Sequence, residues 1–156
     1  MDEIAARQHG VISREQLRMS GLSEESIEQA VASVRLFPLF RSTFSVGRRS
    51  VDLHGRLMAA TLACGEGTVI SHGSAAWLLG LWRAKPGEME VIAPVEAGRK
   101  IPGIRRRFPP PPMPEHLVHR SGIPCTGPAR TLVDLAGIAG TKALTDAVAK
   151  ANDLIK

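Results

Sequence analysis

Ser13-Arg14-Glu15-Gln16-Leu17-Arg18-Met19-Ser20-Gly21-Leu22-Ser23-Glu24-Glu25-Ser26-Ile27 holds two helix starts separated by a break. Ser13 with Gln16 three residues on is a capping box: the hydroxyl takes the amide of the third helical residue, and the glutamine side chain takes the cap amide. The helix this opens is brief, because Ser20-Gly21 interrupts it. Leu22 then acts as a hydrophobic staple and Ser23 caps a further helix, Glu24 to about Val34. Ile27, Ala30, Val31 and Val34 share one of its faces.

Upstream, a first helix from about Asp2 to His9 stops at Gly10, and Val11-Ile12 is expected as a short extended link. Downstream, Leu36-Phe37-Pro38-Leu39-Phe40-Arg41-Ser42-Thr43-Phe44-Ser45-Val46-Gly47 is rich in aromatic and β-branched residues. It reads as two short strands folded back on each other. The order helix, capped helix, glycine turn, capped helix, hairpin predicts a winged helix-turn-helix over residues 1–50. Its expected core is Ile4, Leu17, Leu22, Ile27, Val31, Leu36 and Phe44.

Residues 51–156 read as a second unit. A helix from Val51 to Ala63 is followed by a strand at Thr68-Val69-Ile70 and a helix capped by Ser71 that runs to Leu79. Strands are expected at Met89–Ala93, Ile101–Phe108 and Leu117–His119, with the four prolines Pro109 to Pro112 acting as a polyproline spacer. Pro128 suits the first position of a helix ending at Ala136, and Thr141 is expected to cap a last helix. Helices and strands mix without strict alternation, so the chain is α+β. Trp77 is expected in the core, and Trp82 as an interface anchor or loop plug.

The 156 residues carry a net charge of +5, with 44% hydrophobic and 22% charged residues, which are ordinary globular values. Cys64 and Cys125 are too few for a disulfide scaffold and fit a reducing compartment. The acidic start lacks a signal peptide's basic region, and no apolar run reaches the length of a membrane span, so a soluble cytoplasmic protein is expected. The five histidines and two cysteines show no zinc spacing. There is no nucleophile elbow and no glycine-rich phosphate loop. The expectation is therefore no enzyme, no metal and no cofactor. Asp134 and Arg130, at i and i+4, read as an ion pair within one helix.

A basic wing on such a fold points to nucleic acid, because arginines there lie along phosphates or enter the minor groove. Candidates on the wing and its exit are Arg35, Arg41, Arg48 and Arg49. The helices add Arg14 and Arg18, with Ser23, Ser26 and Gln29 as neutral donors. Arg105-Arg106-Arg107 is the densest basic run, either a second phosphate-binding surface or an edge strand guarded by charge. Against these stand Glu24, Glu25 and Glu28, which favour the helix dipole at a helix start yet repel phosphates.

Several segments resemble the AbiEi family of antitoxins from type IV abortive-infection toxin–antitoxin systems, especially its actinobacterial branch. The likeness runs through Ala5-Ala6-Arg7-Gln8-His9-Gly10-Val11-Ile12-Ser13-Arg14-Glu15-Gln16-Leu17 and Gly21-Leu22-Ser23. It continues at Arg35-Leu36, Arg41, Phe44 and Gly47, then at Val69-Ile70-Ser71-His72, Ser74-Ala75-Ala76, Gly80-Leu81 and Glu90-Val91. It is most specific from Gly122 to Ala136. The chain departs from the family's pattern in its acidic third helix, in Ser42 where the wing tip is usually Arg-Gly, and in Gly127 for a common hydroxyl residue. The resemblance implies a winged-helix domain followed by a small α+β domain, in an antitoxin that represses its own operon. It also implies a nucleotidyltransferase-like toxin encoded alongside, opposed without stable contact. The very-short-patch-repair-like endonuclease domain of longer relatives is expected to be absent.

The expected partner is double-stranded DNA of the protein's own promoter, bound by two copies on repeated half-sites, with no membrane association. The alternatives are a protein-interaction module with a degenerate helix-turn-helix, or the regulatory remnant of a two-domain nuclease.

Overall fold

The computed structural model describes residues 1–94 and 97–155. They form two compact units, Met1–Glu66 and Gly67–Lys156.

In the first unit, α1 (Asp2–Arg7) ends in a turn where His9 and Gly10 both take positive φ, at 58° and 83°. Val11 and Ile12, expected as a link, instead belong to a strand, β1 (Val11–Ser13), since both are β-branched and wholly buried. The capping box of α2 (Arg14–Met19) is formed: the Gln16 amide donates to Ser13 Oγ at 3.1 Å, and the Ser13 amide donates to Gln16 Oε1 at 3.0 Å. Ser23 caps α3 (Glu24–Ala32) by accepting from the Ser26 amide. This helix stops two residues earlier than expected. Val34 takes φ 53° and is 61% exposed, so it leaves the apolar face on which the sequence placed it.

β2 (Leu36–Pro38) and β3 (Thr43–Val46) form the expected hairpin, and β1 adds to it antiparallel, giving the order β1-β3-β2. The core gathers Ile12, Leu17, Ile27, Ala30, Leu36 and Phe44, with Ile4, Leu22 and Val31 packed against them. All seven expected residues are there, joined by Ile12, which moved inward with the unforeseen strand.

The next helix, α4 (Leu53–Cys64), is capped by Asp52 and packs on β1 and β3. A boundary at residues 50/51 is therefore corrected to 66/67: Leu57, Met58 and Thr61 bury their helix face inside the first unit. Gly55 is required on this helix, since a Cβ would lie 2.7 Å from Val51 Cβ and 3.1 Å from the His9 carbonyl.

The second unit is built on a five-stranded mixed sheet ordered β6-β5-β4-β8-β7. The strands are β4 (Val69–Ile70), β5 (Met89–Ile92), β6 (Ile104–Arg107), β7 (Leu117–Arg120) and β8 (Ile123–Thr126). β8 went unrecognised in the sequence because Pro124 sits within it. The β7–β8 connection is a two-residue turn whose residues, Ser121 and Gly122, have φ 53° and 75°. Positive φ at both positions is what a tight hairpin of this twist requires.

α5 (His72–Leu78), α6 (Pro128–Ala136) and α7 (Thr141–Ile155) complete the unit, with α6 packed on both α5 and α7. Pro128 occupies the first position of α6 as expected. Three expectations need correction. Ser71 precedes α5 but makes no side-chain cap, because its hydroxyl is bonded to His72. Thr141 is the first residue of α7 rather than its cap. Trp77 is only half-buried, whereas Trp82 plugs the loop against α7 by donating its indole N–H to the Ala143 carbonyl at 3.2 Å.

Ile12→Ala should destabilise the first unit by about 2–5 kcal/mol, as large-to-small changes in a closed core do. Val34→Ala, outside the core, should stay within about 0.5 kcal/mol. Urea unfolding followed by circular dichroism measures both.

Candidate nucleic-acid interface

In the first unit the charges of α2 and α3 face each other. The Arg14 guanidinium reaches Glu24 at 2.6 Å and Glu28 at 3.0 Å, and lies over the Phe44 ring, 5.3 Å from its centroid. Arg18 pairs with the same Glu24. Donating to Glu28 and Glu24 holds Arg14 more firmly protonated than usual, while accepting from Arg18 and Arg14 holds the Glu24 carboxyl below the ordinary range. Glu24 and Glu25 lie in the first turn of α3, where the helix dipole favours them. The dipole alone does not account for the acidic helix, because Glu24 and Glu28 also neutralise α2. Arg14 and Arg18 are correspondingly committed within the unit.

The neutral donors divide. Ser23 and Ser26 are engaged in the α3 cap, their hydroxyls 2.9 Å apart, whereas Gln29 is exposed on the helix surface.

The hairpin carries the remaining arginines. Its tip, residues 39–42, is tied by Thr43, whose hydroxyl accepts from the Phe40 amide at 3.1 Å and donates to the Phe40 carbonyl at 3.3 Å. Ser42 stands at φ 58°, in the left-handed region a glycine would occupy without strain, and its carbonyl accepts from the Arg14 amide at 2.8 Å. Arg41 projects from this tip and is exposed. Arg35 bonds Ser33 Oγ at 3.4 Å, and Arg49 lies over the Phe37 ring at 5.9 Å. Arg48 lines a cleft with Ala6, His9, Gly10 and Asp52. Among the described residues no carboxylate stands within ion-pair distance of Arg35, Arg48 or Arg49, and all three are exposed.

In the second unit, β6 is an edge strand, and its arginines are used in three ways. Arg105 pairs with Glu88 at 2.6 Å. Arg107 pairs with Glu90 at 2.5 Å. Arg106 donates to the carbonyls of Gly98 and Pro94, at 2.7 and 3.2 Å, and lies over Phe108.

Glu90 also accepts from the Gly73 amide at 3.1 Å, joining β6 to the start of α5. A Cβ at Gly73 would come within 2.8 Å of that carboxylate and 3.1 Å of Trp82, so a side chain there would have to displace the end of Glu90 and press on the indole. Beside it His72 is buried at φ 51°, its Nδ1 2.9 Å from Ser71 Oγ. Burial holds its imidazole below the usual pKa, against the opposing pull of Asp134 and Glu90. Arg130 and Asp134 form the expected pair at 2.9 Å, almost fully buried, and Arg130 also reaches the Pro110 carbonyl. This network of His72, Glu90, Arg107 and the Arg130–Asp134 pair was not foreseen as a unit. Its sequence traces are the Arg130–Asp134 spacing and a carboxylate, Glu90, inside an apolar strand. Burial pushes the Cys125 thiol up to about 11, so it stays protonated at neutral pH.

Residues 66–156 match the family described as AbiEi antitoxin C-terminal domain. No curated protein matches the chain. The family match begins at residue 66, one residue before the second unit begins at Gly67.

Because His72 binds its proton less readily folded than unfolded, the unfolded state takes up more protons just below the ordinary pKa of about 6.5. Its contribution to stability should be constant above that value and decline as the pH falls from it toward the folded value. Urea midpoints between about pH 7 and pH 5 should therefore fall more in the wild type than in His72→Gln.

Proposed function

Because the chain belongs to the AbiEi antitoxin family, we propose that it is the antitoxin of a type IV pair and represses its own operon by binding promoter DNA. The first unit is the DNA-binding part, a winged helix in which α3 enters the major groove and the β2–β3 hairpin lies along the backbone. The observation that carries this reading is the distribution of charge. The arginines of α2 are quenched by α3, while among the described residues Arg35, Arg48 and Arg49 have no carboxylate within ion-pair distance. Affinity then comes chiefly from Arg35, Arg41, Arg48 and Arg49 on phosphates, and discrimination from α3 residues such as Gln29. Pairing Glu24 and Glu28 to α2 also removes much of the repulsion that an acidic helix would present to DNA.

Two copies would occupy repeated half-sites. The functional partner is a nucleotidyltransferase-like toxin, opposed through its effect rather than by stable contact. The protein is a regulator that works in the cytoplasm without a cofactor.

Fluorescence anisotropy on the native promoter and on scrambled DNA, across a salt series, tests the proposal. Arg48→Ala/Arg49→Ala should weaken binding to both and reduce the slope of log affinity against log salt by about one per lost phosphate contact. Glu24→Gln should act the other way, since it frees Arg18 toward the DNA and leaves Arg14 held by Glu28 alone: non-specific affinity rises and the ratio of native to scrambled binding falls. Absence of salt-dependent binding in the wild type would refute the DNA reading and leave a protein-interaction module.

A further inference from the structure

On the outer edge of the second unit's sheet, Glu88, Lys100, Ile104, Arg105, Arg106 and Phe108 line a cleft of about 370 Å³. Three cations stand there against one carboxylate, and Arg105 already pairs with that carboxylate. Phe108 is 77% exposed although it follows directly on a strand. A ring this open on a cationic surface contributes nothing to the core; its apolar face stays in water unless a ligand covers it.

The chain on both sides of the ring is anchored. Arg107, immediately before it, is bonded to Glu90, and the proline run immediately after it is anchored by the Arg130 bond to the Pro110 carbonyl at 2.5 Å. The Arg106 guanidinium, fixed by the carbonyls of Pro94 and Gly98, lies 5.4 Å from the ring centroid. Its Nε remains buried without a hydrogen-bond partner. An aromatic ring on anchored chain beside a fixed guanidinium has less freedom to lose on binding than one on a loose loop.

We infer that this cleft binds an unpaired nucleotide of a single-stranded nucleic acid, with its base stacked on Phe108 and its phosphates on Lys100, Arg105 and Arg106. Stacking requires an accessible base face, which a duplex keeps inside its own stack. The site is thus distinct in ligand and in unit from the duplex-binding surface proposed for residues 1–66. An acidic peptide adding to the edge of β6 is the competing occupant; it would bond the strand's main chain and make no use of the protruding ring.

The test is anisotropy with labelled oligo(dT) and oligo(rU) and with promoter duplex, on the full chain. The wild type should bind the single strands, and Phe108→Ala should weaken that binding about tenfold or more while duplex binding stays unchanged. Phe108→Trp should retain it. Lys100→Ala should reduce its salt slope by about one. Preference between the two oligomers assigns the source as DNA or RNA, since only the 2′-hydroxyl and the base methyl distinguish them. Arg48→Ala/Arg49→Ala, expected to impair the duplex only, separates failure of this site from failure of the promoter reading. Single strands that fail to bind, that bind Phe108→Ala as tightly as the wild type, or that are outcompeted by an acidic peptide without regard to Phe108, would each overturn the inference.

Discussion

In the first unit the central constraint is that β3 is paired on both edges. Its four residues hold β1 on one side and β2 on the other, and the first three of them are buried. Pairing to β1 sets Ser13 opposite Thr43, so the cap of α2 starts at a fixed distance from the hairpin tip. Pairing to β2 sets Leu36 opposite Val46 and carries the chain out of α3 into the core. α4 then covers β1 and β3, which is why a helix that follows the hairpin in sequence belongs with it in space. If the register of β3 slipped by one residue, every inward side chain would turn outward. The helices and the hairpin would no longer share a core.

Part of the charge in this protein is consumed locally. The chain is basic, yet Arg14, Arg18, Arg105, Arg107 and Arg130 each face a carboxylate of their own unit. The exposed pairs among these contribute little to stability. Their effect is to decide which cations are left to act on other molecules. Net charge therefore says less about binding than the list of arginines without an acidic neighbour.

Much of the fold was legible in the sequence where a local signal had a local cause. The Ser13–Gln16 box, the Ser23 cap, the hairpin and Pro128 at the start of α6 all came through, because capping and turn chemistry act within three or four residues. The strands β1 and β8 did not. Their short apolar stretches became strands only through partners more than thirty residues away for β1, and across a turn of positive-φ residues for β8. The extent of the first unit was hidden for the same reason, since nothing in Leu53–Cys64 announces which surface its buried face will meet. Among candidate site residues, identity and exposure were readable for Arg35, Arg41, Arg48 and Arg49. The engagement of Arg14 and Arg18 was not, because it depends on how two helices separated by a glycine turn face one another. Of the buried cluster around His72 only the Arg130–Asp134 pair within α6 was readable, because the rest is assembled from α5 and two strands.

The carbonyl of Ser42 gives the hairpin tip an unusual standing. Loop tips on folded domains are ordinarily the places that accept inserted residues, tags or altered lengths. Here the tip residue adopts a left-handed conformation and receives the first amide of α2. Tip length and helix position are thus one dimension of the molecule. A change of length at the tip shifts or uncaps the helix, so variation in this hairpin across related chains should be confined to side chains, with its residue count held constant.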